Sequence, residues 1–511
     1  MSAAPERFDL FDLLDGEERR PRWGKVIDQT KCIGCHACTT ACKSENEVPL
    51  GVTRTYVKAV DVGTFPQARR AFQVTRCNQC EDAPCVAACP TAAMYRRDDG
   101  IVDFDKSVCI GCKACMAACP YDAIFINPHD HSAEKCNFCS HRIDAGLEPA
   151  CVVVCPVEAI LVGDLDDPGS RVAEIANRQP VSVRRQEKET RPKLFYRGAH
   201  QATLDPLAAR RPDGDLYMWS EQGDGVGSGA PEAWNTSAAA LLSYDVPHRA
   251  PWDWRVSLYT WTKGIAAGVY LVAAALALAG VLSWESDVWL WAVPLLAGGL
   301  LAATGAILIA DLEQPRRFWM IFARPQWRSW LVRGAFAIGA YSAVLAAHFV
   351  ASLAGWTSPQ AWLTAAGIPL AALVAVYTGY LFAQAKARDL WQSPLLPPHL
   401  LVQAALLGAA VLLPFDAAHD VLPWVLAAAA LAHVVVVLGE ITLTHPTAHA
   451  HLAVRELVRG RYAAPFWTGL VLVAAALAAP WAGVGVVAPA LVGLLLHEHA
   501  YVQSGQAVPL A

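Results

Sequence analysis

The chain has 511 residues, a net charge of −5 from 41 Lys and Arg against 46 Asp and Glu, and no basic tract, which excludes a nucleic-acid-binding role carried by charge. Its length predicts more than one domain, and the mean composition hides two unlike halves. All 16 cysteines and most of the charge lie in the first half, whereas residues 256–511 are dominated by Ala, Leu, Val and Gly.

Residues 1–25 contain no apolar core of the kind a secretory signal requires, and Arg19-Arg20 is followed by Pro21-Arg22, unlike a twin-arginine address. They read as a solvated or partner-bound arm. The 16 cysteines then fall in four groups of four. Cys32, Cys35, Cys38 and Cys42 have the spacing C-x2-C-x2-C-x3-C, which Cys109, Cys112, Cys115 and Cys119 repeat. Cys77, Cys80, Cys85 and Cys89 read C-x2-C-x4-C-x3-C, and Cys136, Cys139, Cys151 and Cys155 read C-x2-C-x11-C-x3-C. Repeated tight pairs suit a metal cage better than disulfides. Structural zinc takes two knuckles set well apart. Three cysteines at two-residue spacing, with a fourth before proline, match the bacterial ferredoxin run. Cys89, Cys119 and Cys155 each precede proline, and their tails rhyme: Pro90-Thr-Ala-Ala-Met, Pro120-Tyr-Asp-Ala-Ile and Pro156-Val-Glu-Ala-Ile. Such an internal repeat points to iron–sulfur rather than zinc. Asp98-Asp99-Gly100 predicts a hairpin turn between Met94-Tyr95 and Ile101-Val102. Each Cys-Pro tail is expected to open a short helix, since proline is tolerated in a first turn.

Residues 25–165 resemble the four-cluster iron–sulfur subunits of molybdopterin oxidoreductases of the dimethyl sulfoxide reductase type. The resemblance rests on the four cysteine groups, in order, with these spacings. It implies that the outer groups pair and the inner groups pair by exchanging their fourth cysteines. One cluster would take Cys32, Cys35, Cys38 and Cys155, and its neighbour Cys136, Cys139, Cys151 and Cys42. The inner pair would be Cys77, Cys80, Cys85 with Cys119, and Cys109, Cys112, Cys115 with Cys89. Relatives holding a three-iron cluster replace one cysteine of the third group; all four are present here, so four [4Fe–4S] clusters are expected. The first group departs from the pattern in that Lys43, not proline, follows Cys42.

Residues 166–255 are rich in Arg, Pro, Gly and Asp, and read as a connector with a flexible segment at Gly223–Gly229. The aromatic patches Leu194-Phe195-Tyr196 and Tyr217-Met218-Trp219 within it are candidates for docking on a partner subunit or on the second half.

Eight apolar stretches follow, near 258–283, 287–310, 333–353, 361–385, 397–415, 420–443, 465–482 and 484–502. Most reach the ~20 residues that span a bilayer as a helix. After Lys263, every Lys and Arg lies in the loops after the second, fourth and sixth stretches or at adjoining helix ends: Arg316, Arg317, Arg324, Arg328 and Arg333; Lys386 and Arg388; Arg455, Arg459 and Arg461. Lys and Arg mark the cytoplasmic side, so the cysteine region and both termini are expected in the cytoplasm, at the inner membrane of the cell.

This half resembles the eight-helix, NrfD-like membrane anchor of polysulfide reductase. The shared features are Pro251-Trp-Asp-Trp254 before Lys263-Gly264-Ile-Ala-Ala-Gly268, Asp311-Leu-Glu-Gln-Pro315-Arg-Arg-Phe-Trp319, Tyr377-Thr-Gly-Tyr380 before Trp391, and Ser504-Gly-Gln-Ala-Val-Pro509. The resemblance implies no haem and electron exchange with quinone. The residues point the same way, because ionisable groups inside membrane helices are costly and mark function by default. Lys263, Asp311, Glu440, His497, Glu498 and His499, with Tyr377 and Tyr380, converge on one membrane face, where they offer hydrogen bonds and protons to a quinone. The alternative for any one of them is pairing or snorkelling at the interface. His348 and His433 lie deeper.

The expected fold is an α+β double ferredoxin-like iron–sulfur domain (26–165) and an all-α polytopic membrane domain of about eight transmembrane helices (256–511), joined by the connector. No catalytic residue is expected on this chain. It is read as the electron-transfer and anchor subunit of a complex whose molybdopterin (Mo or W) catalytic subunit docks on the cluster domain, with the bilayer and quinone as its other partners. Substrate oxidation with quinone reduction is favoured, resembling sulfite dehydrogenase, with phenylacetyl-CoA oxidation comparable. A quinol-oxidising reductase subunit, a proton-translocating respiratory component and a redox sensor are the alternatives.

Overall fold

The computed structural model describes residues 20–210, 240–356, 360–415, 418 and 420–510. The aromatic patch at 217–219 and the glycine-rich segment at 223–229 lie outside them.

The cysteine region is built on two small sheets and two hairpins. Strand Trp23–Asp28 is the centre of the first sheet, antiparallel to Ile160–Asp164 and parallel to Leu194–Arg197. Leu194-Phe195-Tyr196 is therefore a strand of this sheet, not a docking patch: Leu194 and Tyr196 are buried in its core. Strands Thr55–Val62 and Arg69–Arg76 pair antiparallel, with Ala240–Tyr244 along the other edge. The Asp98-Asp99-Gly100 hairpin forms as expected, joining Met94–Arg96 to Val102–Phe104, with Gly100 at φ +77°. Ile124–Ile126 and Ala133–Lys135 make the corresponding hairpin after the third group.

The Cys-Pro tails do not open helices. The short helices Pro84–Ala88, Ala114–Ala118 and Ala150–Val153 lie ahead of Cys89, Cys119 and Cys155, and the tails are turns. The reason is local: the third residue after each cysteine (Ala92, Asp122, Glu158) sits in left-handed backbone at φ +48 to +55°, which no helix accommodates. Backbone N–H groups just beyond then turn back to sulfur, Met94 to Cys89 Sγ at 3.4 Å and Ala159 to Cys155 Sγ at 3.2 Å.

Among the described residues, seven helical runs are long and apolar enough to cross a membrane. They are Trp254–Leu278, Val288–Ala310, Trp330–Leu353, Ala361–Gln384, Leu396–Phe415, Leu422–Thr442 and Ala463–Ala507. The last has 45 residues, over twice what one crossing needs. It doubles back near Gly483 (φ +55°), so that helix Ala463–Ala474 packs antiparallel on Val487–Ala507 with Gly469 against Gly493. The seventh and eighth apolar stretches thus form one hairpin. The Trp254 helix is the most enclosed of the set. It crosses Leu396–Leu412 where Gly268 and Gly408 bring the two backbones together; a Cβ on either would fall on the opposing main chain.

The cysteine region sits directly on the helix ends that carry the Arg- and Lys-bearing loops. Gln326 N and Ser329 Oγ donate to Pro90 O and Ala88 O, both at 2.9 Å. Arg317 Nη1 donates to Lys106 O at 2.7 Å and Cys109 O at 3.1 Å. Lys188 pairs with Asp389, and Arg184 reaches Leu510 O at 3.2 Å. One apolar core runs through the contact, mixing Ala88, Ala114, Ala117 and Ala118 with Trp252, Phe382, Trp391 and Tyr501.

A buried ion triad closes the joint. The His248 ring, just ahead of the first membrane helix, contacts Asp122 and lies 3.2 Å from Asp245. Burial opposes its charge, but the two carboxylates hold its pKa up at about 9, above the ordinary 6.5. A raised folded pKa means stabilisation that is complete below pH 6.5 and lost as pH rises through about 9. Thermal midpoints of the wild type and His248→Gln in detergent should therefore differ most below pH 6.5 and converge above pH 9. Packing gives a second check. Gly408→Val should cost about 1–3 kcal/mol or more by overpacking, read as a fall in thermal midpoint, whereas Gly298→Val, with open space around it, should leave the midpoint unchanged.

Candidate functional site: four thiol cages and a polar pocket below them

Each cage draws three cysteines from one group and one from its partner group. Cys32, Cys35, Cys38 and Cys155 line one cavity. Cys77, Cys80, Cys85 and Cys119 line a second, and Cys89, Cys109, Cys112 and Cys115 a third. Cys42 stands within electrostatic reach of Cys136, Cys139 and Cys151, and Asn46 Nδ2 lies 3.7 Å from both Cys42 Sγ and Cys139 Sγ. The geometry gathers the sixteen in the exchanged sets expected from the sequence.

Burial pushes the thiols up, Cys38 to about 11 and Cys42, Cys80 and Cys119 to about 12. Such thiols give up their protons to a bound metal, whose charge inverts that preference. Cys151 is the exception: burial would raise it, but Arg76 and Lys25 beside it bring it down to about 7. Arg76 is fully buried, donates to Cys151 Sγ at 3.0 Å, and feels the charge of Cys38 and Cys136 as well. Its Nε and Nη2 have no hydrogen-bond partner among the described residues. A guanidinium with unspent donors between two thiol cages fits an anionic sulfur-ligated group on either side. Arg76 directly precedes Cys77 and reads in sequence as one more polar strand residue, so nothing local marks it.

The cages form a line. Cys38 of the first feels Cys151 of the second, Cys77 of the third feels Cys136 of the second, and Cys115 of the fourth feels Cys85 of the third. Cys35, in the first cage, is the one exposed cysteine of the sixteen. The last cage rests on the membrane helices. Glu313 N and Gln314 N donate to Gly111 O at 3.3 Å and Ile110 O at 3.2 Å. Trp252 Nε1 donates to Cys112 O at 3.3 Å, and Lys113 pairs with Asp311 at 3.2 Å. Gly111 (φ +68°) has no room for a Cβ because the Glu313 backbone lies against it.

Below this cage the membrane-face candidates separate into five places. Lys263 and Tyr377 come together: Lys263 Nζ donates to Ala375 O at 2.8 Å and Thr378 Oγ1 at 2.9 Å, 4.7 Å from the Tyr377 ring centre. Glu498 is within reach of Lys263's charge and is hydrogen-bonded by Gln403. Asp311 is engaged by Lys113. Glu440 accepts from Tyr501 Oη at 3.3 Å. His497 joins His399 and His433. Tyr380 faces outward, stacked on Trp330 at 4.4 Å. Sequence had singled out neither Gln403 nor His399.

Comparison with known proteins decides the family. Residues 23–44 match a 4Fe-4S binding domain, 69–165 a 4Fe-4S dicluster domain, and 244–484 the model named Polysulphide reductase, NrfD. The chain is 41% identical over 210 residues to a tetrathionate reductase subunit of Salmonella typhimurium, covering 40% of this chain and 81% of the relative. It is 42% identical over 177 residues to a polysulfide reductase subunit of Wolinella succinogenes (34% and 93%). It is 39% identical over 224 residues to a putative dimethyl sulfoxide reductase iron–sulfur subunit of Halobacterium salinarum (38% and 86%). The chain belongs to this family of reductase iron–sulfur subunits, fused here to an NrfD-type membrane domain. It is an electron-transfer, multi-pass component of an oxidoreductase complex. For an iron–sulfur subunit, Arg76 becomes a tuning group: Arg76→Met removes positive charge next to the cages. Potentiometric titration followed by EPR should show a cluster midpoint moved to more negative potential, with iron content retained.

Proposed function

We propose that the chain holds four [4Fe–4S] clusters and carries electrons between a separate molybdopterin (Mo or W) catalytic subunit and quinone in the bilayer. Cys32, Cys35, Cys38 and Cys155 would hold the outermost; Cys136, Cys139, Cys151 and Cys42 the second; Cys77, Cys80, Cys85 and Cys119 the third; and Cys89, Cys109, Cys112 and Cys115 the one at the membrane. Bound there, the clusters supply one-electron carriage without proton chemistry. The observation that carries this reading is the line of cages from exposed Cys35 to the Cys109–Cys115 loop seated on the helix ends. Ile33, Val153 and Val154 are exposed around the first cage and supply an apolar surface for the catalytic subunit.

The quinone pocket is assigned to Lys263 and Tyr377, with Glu498 and Gln403 beside them. Lys263 is nine residues into the helix that starts at Trp254, a rise of about 14 Å, and Trp252 just ahead of that helix touches the last cage. Lys263 and Tyr377 would donate to a quinone carbonyl, while Glu498 would handle the proton that accompanies reduction. Asp311, Glu440, His497 and Tyr380 stand outside this pocket; Asp311 instead fixes the last cage.

The Arg- and Lys-bearing loops lie on the cage side, which supports a cytoplasmic cluster domain in the inner membrane. A cytoplasmic catalytic subunit suits oxidation of an internal substrate with quinone reduction, sulfite being the favoured one. The second reading, quinol-fed reduction of a sulfur compound, is favoured by the names of the relatives, which are reductases of tetrathionate, polysulfide and dimethyl sulfoxide.

Quinone-linked turnover of the holo complex tests the pocket. Lys263→Met and Tyr377→Phe should each lower it about tenfold or more, the worth of roughly one lost hydrogen bond to the bound quinone. Tyr380→Phe should match wild type. Unchanged turnover in Lys263→Met with full iron content would remove the pocket from this place.

A further inference from the structure

Three histidines meet inside the membrane domain, and nothing in the electron-transfer reading uses them. His399 comes from the helix Leu396–Leu412, His433 from Leu422–Thr442 and His497 from Val487–Ala507. Their available nitrogens all lie within 4.8 Å of one another, and all three side chains are buried. The ring centres are 4.9 Å (399 to 433), 4.8 Å (433 to 497) and 5.8 Å (399 to 497) apart. His399 Nε2 and His433 Nδ1 are 2.9 Å apart. We propose that His399, His433 and His497 form a binding site for a single divalent transition-metal ion of the zinc class.

Hydrogen-bond satisfaction points to a missing partner. A neutral imidazole has one donor and one acceptor, and leaving either buried and unmet costs on the order of 1–3 kcal/mol. Here, among the described residues, His433 Nε2 and His497 Nδ1 have no hydrogen-bond partner, although both rings are buried. Packing alone would be served better by leucine. Donor chemistry then narrows the ion. Hard cations such as magnesium and calcium take oxygen ligands, whereas imidazole suits zinc, copper and nickel. Zinc–nitrogen bonds of about 2.0–2.1 Å in a tetrahedron set the nitrogens roughly 3.3 Å apart. One nitrogen from each ring lies within 4.8 Å of those from the other two, close to that value. Charge is met nearby. Three neutral imidazoles leave the ion's charge uncompensated, and two acids lie near: buried Glu498 follows His497 in the chain, and half-buried Glu440 binds Tyr501, whose ring stacks on His497 at 6.3 Å. Three protein ligands leave a fourth position open. Two of the three helices, Leu396–Leu412 and Val487–Ala507, also carry Gln403 and Glu498 beside Lys263, so a metal there would pin both to the His433 helix. The proposal does not depend on quinone binding.

The test is metal analysis of the full chain in detergent, purified without chelators, with iron measured in the same samples. Wild type is expected to carry about one zinc-class ion per chain, given one three-histidine site. His433→Ala and His399→Gln should lose it at least tenfold while iron and acid-labile sulfide stay at wild-type levels. Zinc-edge X-ray absorption of the wild type should show nitrogen ligands, and this readout stands even where a variant fails to fold. A sulfur shell would place the metal in the cysteine cages and overturn the proposal. So would wild type that, after dialysis against zinc and washing, holds no more metal than the variants; the trio would then be a hydrogen-bonded histidine cluster.

Discussion

The Cys109–Cys115 loop is held against the membrane helices largely through backbone groups, and the proposed electron route into the membrane depends on that seating. Ile110 and Gly111 offer carbonyls to the turn after the second membrane helix, Cys112 offers one to Trp252, and Lys113 pairs with Asp311. Backbone contacts of this kind fix position without leaving slack for side-chain rotamers. Glycine at 111 is what permits the approach. The stacked rings of Trp252, Phe382 and Trp391, 4.7–5.7 Å apart, fill the space beneath and exclude water from the joint. On the proposed reading, an electron leaving the last cage would pass this packed aromatic layer on its way to the Lys263 pocket.

The charged loops at this joint serve two ends. Arg317 donates to carbonyls of the last cage's loop, and Lys188 of the cysteine half clasps Asp389 of a membrane loop, so charge on both sides is spent on docking. Buried charge also organises the cages. Arg76 and Lys25 sit where thiolate charge is densest, and a pairing of that kind is tolerable in low dielectric only because both signs are present.

The four cysteine groups were readable in sequence because ferredoxin-type spacing is local, whereas the exchange of fourth cysteines came only as what the family resemblance implies. The apolar runs were readable because a bilayer demands length, and the final hairpin resolves at Gly483 what hydropathy merges. Three features were not readable, each for a physical reason. The strand Leu194–Arg197 pairs in parallel with Trp23–Asp28 across some 170 residues, and no local pattern announces a long-range partner. The Cys-Pro tails obey left-handed residues at positions 92, 122 and 158 rather than the helix preference of proline. The membrane-face candidates shared a depth but not a direction: depth follows from position in a helix, whereas the face toward which Asp311, Tyr380 or His497 points depends on rotation set by neighbouring helices.

The central claim is that the line of cages opens onto quinone at the membrane face. The most direct measurement reconstitutes the metal-loaded chain in liposomes that contain a long-tailed quinone confined to the bilayer. The chain is reduced with dithionite and freed of the excess before it meets the oxidised quinone, and visible absorbance then follows the clusters. Full reoxidation is predicted in quinone-containing liposomes and none in quinone-free ones. Clusters that stay reduced in both would contradict the claim.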